Sequence, residues 1–269
     1  MDAQAVISPK LIAPNAGPAA AHIRRGSTLW HGSASFAALL TLALLLVPIA
    51  CDAEGSWSAS LGATTDYVFR GISQTDRGGA VQVGANYQSA LGWFAGAWGS
   101  NVDPYPGGES FKELDLYAGV IRPLGKDFTV QGTYTRYAYL GDPRPANYDH
   151  NEISVAVAYL DLVAVSVSYQ PDATSYSQLG FAQRRSAVAY EATARQPLPK
   201  GFAAIAGAGY YDLHDLFGVS YWAGDLGLSY VHGRLTVGIS RFFCDNTAAR
   251  LYEDASANRT WAASAVLRF

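Results

Sequence analysis

From Trp57 to the last residue, apolar and polar side chains alternate with a period of two almost without interruption, and this alternation constrains the fold more than any other feature of the chain. A period of two is the mark of a strand, because successive side chains point to opposite faces. In "WSASLGATTDYVFRG" the residues Trp57, Ala59, Leu61, Ala63, Tyr67 and Phe69 share one face, while Ser58, Ser60, Thr64, Asp66 and Arg70 share the other. Aromatic rings stand at both ends of the apolar face with small residues between them. A globular sheet keeps its bulk in the middle of the core face, whereas a lipid-facing strand carries aromatic girdles where the bilayer meets water. Trp57 to Tyr67 spans roughly 25 Å of membrane normal at a tilt of about 40°.

Further strands read at 80–90, 93–101, 113–122, 128–139, 151–160, 162–170, 186–196, 201–212, 221–231, 234–243 and 259–269, twelve in all with the first, which is read through Gly71. Segment 93–101 has ambiguous phase, with Trp93, Phe94 and Trp98 occupying both faces. The connections after the even-numbered strands are short, "LG", "PLGKD", "D", "PLPK" and "HG", and fit tight hairpins. Those after the odd-numbered strands are longer, from "ISQTDRGG" to "CDNTAARLYEDASAN". Regular short and long connections predict an all-β, transmembrane up-and-down antiparallel β-barrel of about 12 strands, its short turns facing the periplasm. A propeller or solenoid with the same repeat is disfavoured, because the apolar face is rich in Ala and Gly where a packed blade needs larger residues.

Composition agrees: 17 Tyr, 6 Trp and 27 Gly against one Met favour strands and turns. A net charge of −3 with no basic stripe past the N-terminal segment gives no support for nucleic-acid binding. The chain divides into an N-terminal extension with a secretory signal peptide, 1–53, and the barrel, 54–269. Arg24 and Arg25 precede the uncharged run Phe36–Ala50, too short for a comfortable membrane helix, and cleavage after Ala53 leaves a mature chain starting near Glu54. "VPIAC" is lipobox-like but has Pro48 where Leu is usual, and the Arg24-Arg25 pair is followed by "GSTLW", a poor twin-arginine context. After cleavage Cys244 is the remaining cysteine, so no intrachain disulfide is expected.

In lipid every backbone group needs a partner inside the protein, so the last strand is expected to pair with the first. Phe269 then sits at the closing seam, and with Leu267 and Trp261 it forms a C-terminal pattern similar to the signal by which outer-membrane barrels are recognised for assembly. The expected partners are therefore outer-membrane lipid, the outer-membrane assembly machinery and small polar solutes.

"DYVFRGISQT" (Asp66 to Thr75), "WGSNVD" (Trp98 to Asp103) and "ELDLYAG" (from Glu113) together resemble the TorF family of candidate porins, also filed as the Gcw_chp family. Stretches such as "YWAGDLGLSY" and "GRLTVGISRF" are similar more loosely. The resemblance implies a β-barrel in the outer membrane of a Gram-negative bacterium and brings no catalytic residues. "GVIRPLGKDF" departs from the family style by adding Arg122 and Pro123 to its turn.

Turning each apolar face to lipid leaves Asp66, Arg70, Gln82, Asn86, Asp115, Tyr117, Glu191, Arg195, Asp225 and Arg268 to line the lumen. Charges of both signs there fit a porin giving small polar solutes passive passage through a narrow lumen, or cross-lumen ion pairs that close a structural or adhesive barrel with partner-binding loops. A lipid-active enzyme is disfavoured: His150 and His214 fall in outer loops and His232 in a turn, none beside an outward Ser. No cofactor is expected, and His214 with Asp212 and Asp215 reads as a charged loop rather than a metal site.

Overall fold

The computed structural model describes residues 55–103, 111–141, 148–176, 182–252 and 260–269. The expected signal peptide, 1–53, lies outside these residues. Twelve strands close into one antiparallel barrel: β1 (Ser56–Thr64), β4 (Ala80–Gln88), β5 (Trp93–Val102), β6 (Phe111–Leu124), β7 (Phe128–Leu140), β8 (His150–Tyr159), β9 (Val163–Tyr176), β10 (Ala182–Pro197), β11 (Phe202–Leu213), β12 (Val219–His232), β13 (Leu235–Cys244) and β14 (Trp261–Arg268). Each pairs with its sequence neighbour, and β1 pairs with both β4 and β14. The seam is registered Leu61 to Leu267 and Ala63 to Ala265, and the backbones of Ala59 and Phe269 exchange hydrogen bonds of 3.2 and 2.9 Å. No strand of the wall is left with an open edge, which is the condition lipid imposes on a sheet.

The short turns lie at one end of the barrel together with the start of β1 and the end of β14. The tightest joins His232 to Leu235 through Gly233, whose φ of 58° is the left-handed conformation that glycine adopts without strain. The longer connections gather at the opposite end. One of them is shorter than the sequence suggests, because β9 and β10 run on as a paired ribbon beyond a register shift between Arg185 and Ala187. Another contains a one-turn helix, His214–Phe217.

The wall is inside out relative to a globular sheet. Leu61, Val83, Val165, Val167, Leu226, Leu228 and Ile239 are exposed on the outer face. At the short-turn end this aliphatic belt is bounded by ring pairs Trp57–Tyr87 at 5.1 Å, Phe128–Tyr159 at 5.1 Å and Phe202–Tyr230 at 4.7 Å. At the other end Tyr190, Tyr210 and Trp222 form a second rim, spaced 6.3 and 4.9 Å. Phe202 to Tyr210 and Trp222 to Tyr230 each separate the rims by roughly 20 Å of barrel height at the usual rise and tilt. In β5 the ambiguous phase resolves with Phe94 and Trp98 buried inside and Ala95 and Ala97 outside.

The first strand departs from its reading in the sequence. It stops at Thr64, and the chain then makes a small separate hairpin from β2 (Val68–Phe69) and β3 (Ile72–Ser73). Tyr67 is therefore not on the lipid face: it is 2 % exposed, inside the barrel, with its ring 5.5 Å from that of Trp98. The reason is local. Thr64 is the last residue registered on both neighbours, Ala80 and Ser264; past it β4 has not begun, β14 still receives the Thr65 amide at the Ala263 carbonyl, 2.9 Å away, and from Asp66 onward the segment satisfies its own polar groups instead. Asp66 accepts hydrogen bonds from Ser73 at 2.6 Å and Thr75 at 3.3 Å, and the Gln74 amide donates to the Tyr67 carbonyl at 2.7 Å. Two apolar clusters fill the interior among the described residues, one including Tyr67, Trp98 and Phe111, the other Ile72, Tyr211 and Tyr221. Each contains a residue of the hairpin segment.

Candidate functional site

The hairpin turns on Arg70 and Gly71, with φ of 52° and 77°. A two-residue turn with both central φ values positive is a type I′ turn, whose twist suits a tight hairpin and whose first position favours Asn, Asp or Gly. Arginine there costs about 1–2 kcal/mol of backbone strain. What offsets that strain is visible in its side chain: Arg70 Nη2 lies 2.9 Å from Glu152 Oε2 on β8 and 3.3 Å from Glu191 Oε2 on β10. The guanidinium also stands 4.7 Å from the Phe69 ring centroid and 5.8 Å from that of Tyr211. Gly71 packs so closely on the wall that a Cβ there would overlap the Ala223 methyl.

These contacts fix the path of the hairpin. It leaves the wall at β1, and in the ring of twelve strands β8 and β10 are five and seven places away, flanking the strand diametrically opposite. The segment thus runs through the lumen, its turn backed by Ala223 of β12, and the Arg70 side chain completes the reach to the strands opposite β1. On the way Tyr67 donates to Glu113 on β6 at 3.0 Å, and beyond Arg70 the Tyr221 hydroxyl on β12 donates to the Arg70 carbonyl at 3.0 Å.

Around the hairpin a belt of carboxylates and tyrosines follows the inner wall. Glu113 accepts also from Tyr139 at 3.1 Å. Glu152 accepts from Tyr137 at 3.3 Å and from Gln170 at 2.9 Å, and Glu191 accepts from Tyr211 at 3.1 Å. Buried carboxylates are costly unless paired or hydrogen-bonded, and the phenols, the Gln170 amide and the Arg70 guanidinium supply partners here. Outside the wall strands, burial pushes the Asp66 carboxyl up against the hydrogen bonds of Ser73 and Thr75 that hold it down. Burial likewise pushes up the phenol of Tyr252, which follows the short helix Asn246–Leu251.

The residues singled out in the sequence fall on the buried phase of the wall, with two differences. Asp66 and Arg70 are interior, but through the hairpin rather than through strand β1. Asp115 and Asp225 are buried, and Gln82, Asn86, Tyr117, Glu191, Arg195 and Arg268 are partly buried on the same face. Tyr117 donates to Asn86 across β5, and Arg268 donates to Thr236 at 2.9 Å. Within that set, Tyr117 thus meets Asn86, and Arg70 meets Glu191. Glu113, Glu152, Tyr137 and Tyr211, which complete the belt, carry a signal in the sequence, since each shares the inward parity of its strand: Glu113 stands two residues before Asp115, and Tyr211 pairs with Ala189.

The three histidines among the described residues do not assemble. His150 opens β8 rather than sitting in a loop, and its ring stacks on Tyr137 at 4.4 Å. His214 and His232 are exposed. Asp212 accepts from Ser220 at 2.9 Å and Asp215 from Ser186 at 2.6 Å, and no cluster with metal-binding geometry occurs among the described residues.

Two cavities flank Arg70. The larger, about 170 Å³, faces the long connections and is bounded by Phe69, His150, Gln170, Tyr211, Tyr221 and Tyr252. The smaller, about 50 Å³, lies deeper, between the hairpin and Glu191, Thr193, Gly207 and Asp225.

Solved structures of similar fold include porins by their titles. The NanC porin in its rhombohedral crystal form is 10% identical with a TM-score of 0.51, covering 79% of this chain and 98% of its own. The KdgM porin is 8% identical with a TM-score of 0.49, over 79% of this chain and 98% of its own. The translocator domain of the autotransporter NalP from Neisseria meningitidis is 12% identical with a TM-score of 0.40, over 86% and 91%. At such identities the likeness concerns the fold. A search of curated proteins finds no match. The model of the family described as "Bacterial protein of unknown function (Gcw_chp)" matches residues 51–268, and the chain belongs to that family.

Proposed function

We propose that the protein is an outer-membrane channel through which small polar solutes pass passively. The observation that carries this reading is the inverted wall: an exposed aliphatic belt between two aromatic rims, enclosing an interior of carboxylates, amides, tyrosines and arginines. Such a surface is stable in a bilayer and costly in water, while the interior groups suit a hydrated passage. The resemblance of Asp66–Thr75, Trp98–Asp103 and Glu113–Gly119 to the TorF family of candidate porins supports the same reading. On it, residues 1–53 direct export and are removed, and the strand ending at Phe269 is presented to the assembly machinery.

A second reading, a closed barrel whose outer loops bind a partner, draws on the hairpin that crosses the lumen. Planar-bilayer recording on the refolded protein separates the two. Discrete conductance steps, with swelling of proteoliposomes in small sugars but not in larger ones, are expected of the channel. Silent bilayers with folded, heat-modifiable protein would instead support the closed barrel.

A further inference from the structure

We propose that the hairpin Asp66–Thr75 is the constriction of the channel, and that Arg70, clamped between Glu152 and Glu191, is the residue that sets both its width and its charge preference. This rests on the channel reading above and adds to it a named selectivity element.

Three independent features converge on Arg70. Its backbone adopts a left-handed turn conformation that arginine does not favour, so the position is occupied for its side chain. That side chain reaches the wall opposite the point where the segment leaves it, bridging two carboxylates on different strands. And two cavities lie on either side of it, with Arg70 bordering both. A solute moving along the axis meets the hairpin at its narrowest clearance beside this ion pair.

The charge around the constriction is one-sided. Asp66, Glu113, Asp115, Glu152, Glu191 and Asp225 supply carboxylates within the belt, and Arg70 is the cation they enclose; Arg195 and Arg268 stand nearer the short-turn end. In a low-dielectric tube such an arrangement favours cations, and the single guanidinium limits that preference. Arg70 therefore has two separable effects. Its length and pairing hold the hairpin across the lumen, and its charge offsets Glu152 and Glu191.

The separation gives a test with opposite signs. Arg70→Ala removes the clamp and the positive charge. The double variant Glu152→Gln/Glu191→Gln removes the clamp but keeps the positive charge. Single-channel conductance in potassium chloride is expected to rise severalfold in both. Reversal potentials in a salt gradient are expected to shift toward cations for Arg70→Ala and toward anions for the double variant. Heat-modifiable mobility on gels establishes that each is folded.

A covalent control uses the native Cys244. A Cβ placed on Gly71 would stand 3.6 Å from the Cys244 Cβ, within disulfide range, once Ala223→Gly relieves the overlap. In Arg70→Ala/Gly71→Cys/Ala223→Gly, oxidation is expected to return conductance to the wild-type level and reduction to raise it again. A conducting wild type whose conductance and reversal potential are unmoved by either set of variants would overturn the proposal and leave the channel reading standing. Silence of wild type and variants alike would remove the channel reading, and the constriction with it.

Discussion

Ala206 is the position at which the membrane reading can be tested with the least disturbance. It stands on the outer phase of β11, four residues from Phe202 in one aromatic rim and four from Tyr210 in the other. At the usual rise and tilt it lies roughly 10 Å from either rim, near the middle of the belt. Its register partners are Ala194 and Leu226, the latter 58 % exposed, so an added side chain meets neither a packed core nor a charge directly across the strand. Alanine contributes only a methyl group, and Ala206→Arg therefore measures almost purely the cost of bringing a guanidinium to that depth. That cost is about 2–4 kcal/mol at the midplane of a barrel. It corresponds to a factor of roughly 30 to 1,000 in the folding equilibrium.

The assay is reversible urea unfolding in phosphatidylcholine liposomes, followed by tryptophan fluorescence and gel mobility. Ala206→Leu serves as the uncharged control and is expected to be neutral or slightly stabilising. Gln82→Arg, on the inner phase of β4 between Gly62 and Ser100, is expected to lose little because its head stays hydrated. A free-energy loss equal for Ala206→Arg and Gln82→Arg would refute the assignment of the two faces, and with it the inverted wall.

Three further outcomes are expected. Gly71→Ala combines a left-handed φ with overlap on the Ala223 methyl, so it should destabilise by about 1–2 kcal/mol or more, and Ala223→Gly should recover part of the loss; strict additivity in that double-mutant cycle would deny the contact. Replacing Phe269 with Ser should lower the amount of barrel in outer-membrane fractions far more than the stability of refolded protein, since one aromatic contact is worth about 1.5–3 kcal/mol; normal assembly with collapsed stability would make Phe269 a packing residue. Intact-mass measurement on the outer-membrane form should find an N-terminus within a few residues of Glu54, and a retained leader or a lipidated Cys51 would contradict the processing proposed.

The wall was readable because a strand in lipid has little freedom. Period two, fixed by the pleat, and turns alternating in length follow from the need to cross and recross a slab of constant thickness. The hairpin was not, and the cause is specific. "TTDYVFRG" prolongs the alternation of β1, and Tyr67 and Phe69 are apolar whether they meet lipid or the inner surface of β5, so parity alone does not distinguish the two. What betrays the turn is Arg70-Gly71 between Val-Phe and Ile-Ser, a pattern of two short arms too small to register against a strand of nine residues. The ribbon beyond the belt escaped for a related reason. Pro171 marks an end to regular pairing, yet the register shift opposite Ser186 lets β9 and β10 continue past it. Of the candidate site, the individual inward residues follow from parity, but the meeting of Arg70 with Glu152 and Glu191 depends on curvature around the ring, which no local pattern encodes.

A closed sheet is a thin-walled tube, and its softest deformation is flattening, in which opposite walls approach or part while every local hydrogen bond survives. The segment from Thr64 to Arg70 joins the strand beside the seam to the strands flanking the far side, so it acts on that mode as a transverse brace. An ellipse elongated along the brace must stretch it, and one squeezed along it must buckle it. The tube is held near round both along the brace and at right angles to it, and left compliant only to flattening along the diagonals between. Lateral bilayer stress would therefore be resisted unequally around the circumference, and the shape of the remaining lumen would respond to it along those diagonals.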